Sequence, residues 1–158
     1  MCIAVVHGDI KPENVLIFQD HTGCDVAKVA DFGYSTLVAE DDDIIRMPKS
    51  EPWNAPEHHH RGFTFSQALR MDAFSFGMLC LWLLFHEMEN YPHLTQLKQL
   101  KSEDKLQSYA HKLTMAALGL EDGQRENLRV LFGSTLVKDP EGRNPDFASL
   151  LQLLTQDR

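Results

Sequence analysis

The chain has 158 residues, with 15 Lys+Arg against 23 Asp+Glu and a formal charge of −8. That length fits one domain, and 43% hydrophobic with 24% charged residues excludes the disordered and collagen-like classes. The acidic balance argues against a module that binds nucleic acid by neutralising phosphates. From the N-terminus, Ile3–Val6 and Val15–Phe18 read as short strands, apolar and bounded by turn residues. Ala27–Ala30 alternates more weakly, and residues 21–25 supply the turn chemistry of a hairpin between the second and third strands. From Asp31 to about Glu57 periodicity vanishes, so one long loop is expected, and loops of that length inside compact domains are usually functional.

The rest reads as helical. Arg70–Glu87 is expected as one long helix, apolar on nearly every side from Phe74 to Phe85 and therefore central to the core. The apolar stretch Ala73–Phe85 is too short to cross a bilayer, which needs about 20 residues, so no membrane partner is expected. Leu106, Tyr109, Ala110, Leu113 and Ala117 make one amphipathic stripe, and Leu128, Leu131, Phe132 and Leu136 make a second. Phe147, Leu150, Leu151 and Leu154 make a third, with Asn144 as the expected cap and Pro145 at the first helical position. Cys2, Cys24 and Cys80 are odd in number and lack any Cys-x-x-Cys pair, so a reducing compartment is the default: intracellular, cytoplasmic, with the nucleus left open. No basic lead-in precedes the few apolar residues after Met1, so no signal peptide is expected.

Three motifs carry the chemistry. His7-Gly8-Asp9-Ile10-Lys11-Pro12-Glu13-Asn14 fits H-x-D-x-x-x-x-N, Asp31-Phe32-Gly33 follows the hairpin, and Ala55-Pro56-Glu57 closes the long loop. Their joint order and spacing resemble the eukaryotic protein kinase family. Asp72-Ala-Phe-Ser-Phe-Gly77 is similar to the opening of that family's central helix, and Arg143 sits where its late arginine would. The resemblance spans residues 1–158 as a partial kinase domain: catalytic loop 7–14, activation segment 31–57, helical body 58–158. It implies a mainly α fold with a small β-hairpin layer, equivalent to the C-terminal lobe of the bilobal kinase fold, with the N-terminal lobe absent.

By that resemblance Asp9 would orient a substrate hydroxyl and accept its proton, while Lys11 would bridge to the γ-phosphate of ATP. Asn14 and Asp31 would hold Mg²⁺, a hard cation suited to oxygen ligands. Leu16 would form the floor under the adenine. His7 and Phe32 would pack on each other beside Gly33 and aim Asp31 inward. Glu57 and Arg143 would form a buried ion pair, and Asp72 would accept from backbone N–H groups of the catalytic loop. Lys11, with Ser50 five residues before Ala55, follows the serine/threonine pattern, so the expected partner is a protein substrate bearing those hydroxyls.

Two departures qualify the resemblance. Gly8 replaces the arginine that usually precedes the catalytic aspartate, and Arg46 stands where the activating phosphosite often lies, so activity is not expected to depend on a phosphate there. No Gly-x-Gly-x-x-Gly occurs, so the nucleotide-gripping half would come from a missing N-terminal lobe or a partner chain. A lost helix covering ~500 Å² of apolar surface would forfeit about 12 kcal/mol of gross burial, comparable with whole-domain stability. A truncated kinase, weak or inactive alone, is the expectation; a non-catalytic kinase-like interaction module is the alternative, which the intact Asp9, Lys11, Asn14 and Asp31 disfavour. The acidic run Glu40–Asp43 reads as a solvated loop. His58-His59-His60, expected on a helix with side chains diverging, does not read as a metal site.

Overall fold

The computed structural model describes residues 5–37 and 44–155. Cys2, the first two residues of the expected Ile3–Val6 strand and the acidic run Glu40–Asp43 lie outside the described residues. Four short strands come first: β1 (Val5–Val6), β2 (Val15–Gln19), β3 (Asp25–Val29) and β4 (Thr36–Leu37). Five helices follow: α1 (Phe65–Phe85), α2 (Leu94–Ser102), α3 (Leu106–Ala116), α4 (Asp122–Gly133) and α5 (Phe147–Thr155).

β2 and β3 form an antiparallel hairpin with Val15 opposite Val29 and Gln19 opposite Asp25. Its turn is set by Asp20, whose carboxylate accepts from the backbone N–H groups of Thr22 and Cys24, the Asx chemistry that the composition of the turn suggests. β1 pairs with β4, Val5 opposite Leu37 and Val6 opposite Thr36. Residues 31–57 are therefore not one structureless loop: β4 and an antiparallel bridge from Ile45 to Phe63 anchor the segment at two points. Both partners are distant in sequence, which is why local periodicity does not reveal them.

α1 begins at Phe65, five residues before the expected Arg70, because Thr64 and Gln67 form a reciprocal capping box. The helix spans 21 residues, so length alone does not exclude a membrane span; 67% of its most apolar window is buried within the protein, which is the behaviour of a core helix. Its apolar surface is not buried all round, since Leu83 and Leu84 are exposed. Gly77 permits a close crossing: a Cβ there would lie 2.3 Å from the Thr135 hydroxyl and 2.9 Å from Leu136. Leu136 itself is buried but lies beyond the end of α4, so the second stripe runs past its helix.

α2 carries no expectation from the sequence, because only Leu97 of its apolar residues is fully buried. α3 and α4 pack through Leu106, Ala110, Leu113, Leu128, Leu131 and Phe132. Arg125 of α4 donates to the Thr114, Met115 and Ala117 carbonyls, satisfying the C-terminal end of α3. α5 starts at Phe147, and Asp146 caps it rather than Asn144: the Asp146 carboxylate accepts from the Ala148 N–H at 3.1 Å. Asn144 acts one step earlier, accepting from the Asp146 N–H. The three histidines 58–60 lie in turns and irregular backbone rather than on a helix, and no metal-binding cluster of His, Cys, Asp or Glu occurs among the described residues.

Candidate active site

The loop from His7 to Asn14 is held from behind by the core helix. Asp72, in the first half of α1, is 1% exposed. Its carboxylate accepts from the backbone N–H of His7 at 2.6 Å and of Gly8 at 3.0 Å. Burial pushes its pKa up to about 6, against the pull of those two donors. Gly8 is required twice over, by its φ of +86° and by the Tyr34 carbonyl that a Cβ would meet at 3.2 Å. His7 accepts from the Asp9 N–H at Nδ1, at 3.2 Å, and donates from Nε2 to the Ala30 carbonyl at 3.0 Å. Those contacts require the Nε2–H tautomer.

A turn of 3-10 helix over Pro12–Asn14 then folds the loop back on itself. Lys11 Nζ donates to Asp9 Oδ2 at 2.6 Å and reaches the Ser50 hydroxyl at 3.4 Å. That bond to Asp9 is the main reason the Lys11 pKa is raised, and the charge of Asp31 adds to it. Asn14 Nδ2 donates to the Asp9 carbonyl at 2.8 Å and to Asp9 Oδ2 at 3.3 Å. One Asp9 oxygen is thereby doubly engaged, while Oδ1 is buried without a hydrogen-bond partner among the described residues. A buried carboxylate oxygen left unpaired is costly and therefore marks a place where a donor is wanted.

Asp31 is placed differently. Ala30, its neighbour, donates to the Asn14 carbonyl at 2.8 Å, so Asp31 emerges beside Asn14, yet its side chain is solvent-exposed rather than aimed inward. It has a φ of +61° and accepts from the Gly33 N–H at 3.3 Å. His7 and Phe32 meet edge-on with ring centres 5.1 Å apart, but Phe32 is 59% exposed. The contact holds one side of Phe32 and leaves the other uncovered. Leu16, on β2, is 54% exposed.

The far end of the segment is tied down by charge. Arg143 Nη1 and Nη2 donate to the Glu57 carboxylate at 2.6 and 2.9 Å, a paired geometry that favours arginine over lysine. The Arg143 side chain is 0% exposed and Glu57 26%, so the pair is buried on one side and open on the other. Arg143 also donates to the Val137 and Lys138 carbonyls, each at 2.8 Å. Lys101 of α2, which no sequence pattern singles out, donates to the Pro52 carbonyl at 3.0 Å and the Asn54 carbonyl at 2.8 Å. Gln96, three residues after His93 and accepting from its backbone N–H, is the one local signal for this helix.

Asp9, Lys11, Asn14 and Ser50 are thus one connected cluster with Asp31 at its edge. The donor set fits a divalent cation of the Mg²⁺ kind: Asn14 Oδ1 has no protein donor among the described residues, Asp31 offers an exposed carboxylate, and such ions usually take one or two protein oxygens plus phosphate and water. Comparison with known proteins agrees with this architecture. Residues 2–154 match the model of the protein kinase domain. The chain belongs to the protein kinase family, and its small antiparallel sheets and five helices are those of a kinase domain fold.

Among curated proteins, serine/threonine-protein kinase GRIK2 of Arabidopsis thaliana is 32% identical over 141 residues, 88% of this chain and 31% of the relative. Serine/threonine-protein kinase GRIK1 of the same plant is 31% identical over 140 residues, again 88% of the chain and 31% of the relative. Tyrosine-protein kinase SRK3 of Spongilla lacustris is 31% identical over 103 residues, 63% of the chain and 28% of the relative. The chain spans about a third of the length of the first of these relatives.

Proposed function

We propose that this chain is the C-terminal lobe of an ATP- and Mg²⁺-dependent serine/threonine protein kinase. The observation that carries the reading is the buried, unpartnered Asp9 Oδ1 beside the Lys11–Ser50 contact. In this reading a substrate hydroxyl donates to Oδ1 and passes its proton there as its oxygen bonds to the γ-phosphorus of ATP, the bond from that phosphorus to the β–γ bridging oxygen breaks, and ADP leaves. Lys11, whose raised pKa keeps it cationic, balances negative charge that gathers on the transferred group. Asn14 Nδ2 fixes Asp9 and leaves Asn14 Oδ1 for a metal, with Asp31 as the second ligand. Mg²⁺, when bound, neutralises phosphate charge. Ser50 and the GRIK names support serine/threonine specificity, and proteins are the proposed substrates.

The exposure of Leu16, Ile17, Phe18, Val29 and Phe32 supports a further part of the reading: nucleotide-gripping elements outside these 158 residues, in the same polypeptide or a partner, cover the hairpin during catalysis. Without them turnover is expected to be weak. The same exposed surface favours the second reading, a kinase-like interaction module without catalysis. Titrating the purified chain with Mg-ATP separates the two. A saturable rise in melting temperature, abolished by Asp31→Ala, together with slow phosphorylation of seryl or threonyl peptides abolished by Asp9→Asn, is the expected outcome. Absence of both the thermal shift and any Asp9-dependent peptide phosphorylation would sink the kinase reading and leave the module.

A further inference from the structure

α2 reaches the segment before Ala55 with two lysines one helical turn apart. Lys98 pairs with the Glu51 carboxylate, whose other oxygen is 3.3 Å from Lys49. Lys101 spans the next two steps of backbone, donating to both Pro52 and Asn54 carbonyls. The chain of contacts continues inward: the Asn54 N–H donates to the Ser50 carbonyl at 2.9 Å, and Ser50 Oγ accepts from Lys11, which holds Asp9. We infer that Lys101 is a positioning residue, fixing residues 50–54 against α2 so that Ser50 stays in register with Lys11 and Asp9. Its role toward a substrate hydroxyl rests on the kinase reading; its hold on the segment does not.

A lysine is an expensive choice for that place. No carboxylate lies within ion-pair distance of Lys101 among the described residues, and burial pulls its pKa down to about 8, opposed by the more distant Glu51 and Glu57 and helped by Lys98 and Lys49. The Phe74 ring centre lies 6.0 Å from Nζ, and Phe74 also faces Arg143 at 5.0 Å. A half-buried cation without a counter-ion is tolerated where its N–H groups are used, and here the Pro52 and Asn54 carbonyls accept from them. The neutral amine would keep two N–H donors, so the hold persists when the lysine loses its proton.

Hydrogen exchange on the full chain, read segment by segment, tests the inference with Lys101→Met and Lys101→Arg. Lys101→Met is expected to accelerate exchange in residues 50–55 by about tenfold while α1 and α4 keep wild-type rates, and Lys101→Arg to restore most of the protection. In phosphotransfer assays Lys101→Met should raise the KM for peptide and leave the KM for ATP unchanged. Unchanged exchange at 50–55, or acceleration spread equally over α1 and α4, would overturn the inference. Local acceleration with no phosphotransfer by any form, wild type included, would support Lys101's hold and count against the kinase reading instead.

Discussion

The two sides of the candidate site are built to different standards. On the helical side, Asp9, Lys11, Asn14 and Ser50 are interlocked and fastened by Asp72, Arg143 and Lys101, and α1 carries the buried core side chains Phe74, Met78 and Leu81. On the hairpin side, most of β2 and β3 is exposed on both faces, and Asp31 and Phe32 stand in solvent. A two-stranded ribbon is marginal by itself and needs a packing partner for independent stability. The contrast teaches that the placement of Asp9 is a property of the helical body, whereas Asp31, the proposed second metal ligand, is attached to a ribbon that the body does not hold.

The largest expected effect attacks the fastened side. Arg143→Met leaves Glu57 without its partner and the Val137 and Lys138 carbonyls without this donor, and should cost about 3–5 kcal/mol in urea unfolding; a loss under 1 kcal/mol would mean that the segment ending at Glu57 is not anchored there. Asp72→Asn comes next. Asn retains one acceptor for the His7 and Gly8 N–H groups and turns an amide donor toward the other, so a loss of about 1–3 kcal/mol at pH 7 is expected.

Acid sharpens that second test. Because the folded pKa of about 6 lies above the ordinary 3.8, the Asp72 contribution is fully present below pH 3.8 and is lost as pH rises through 6. The advantage of wild type over Asp72→Asn should therefore widen as pH falls from 7 to 4. A constant difference across that range would show that Asp72 is not a desolvated carboxylate. The smallest effect belongs to the ribbon: Ile17→Thr, at a side chain 63% exposed, should change the stability of the chain by no more than about 0.5 kcal/mol. A larger loss in gel-filtered monomer would break the comparison, since it would mean that the ribbon is covered in solution.

Much of this arrangement is legible locally. The strands flanking the Asp20 turn, α1, and the stripes of α3, α4 and α5 follow from period and turn chemistry. The misses have physical causes. The α1 boundary slipped because the Thr64–Gln67 box lies outside the apolar run. α5 starts later than its sequence suggests because Asn144 bonds to the next capping residue, Asp146, without itself opening the helix. α2 escaped because a helix with one fully buried apolar side chain has almost no stripe. The exposure of Asp31 is not legible because the His7–Phe32 contact fixes one side of the Phe32 ring and does not set where the neighbouring carboxylate points.

What the sequence by itself determined is the family and the order of its chemical groups: the loop from His7 to Asn14, Asp31-Phe32-Gly33, Ala55-Pro56-Glu57, Asp72 and Arg143. The three motifs survive because each is a short run of fixed residue types, and Asp72 and Arg143 are recognised by their position relative to those runs. Only the tertiary structure decided that Asn54 meets Lys101 across 47 residues; the Ser50–Lys11 contact across 39 and the Glu57–Arg143 pair across 86 were implied by the family resemblance and by no local pattern. Such contacts have no period and no neighbour in sequence to announce them; they exist because the buried α1 brings separate loops to one side of a common core.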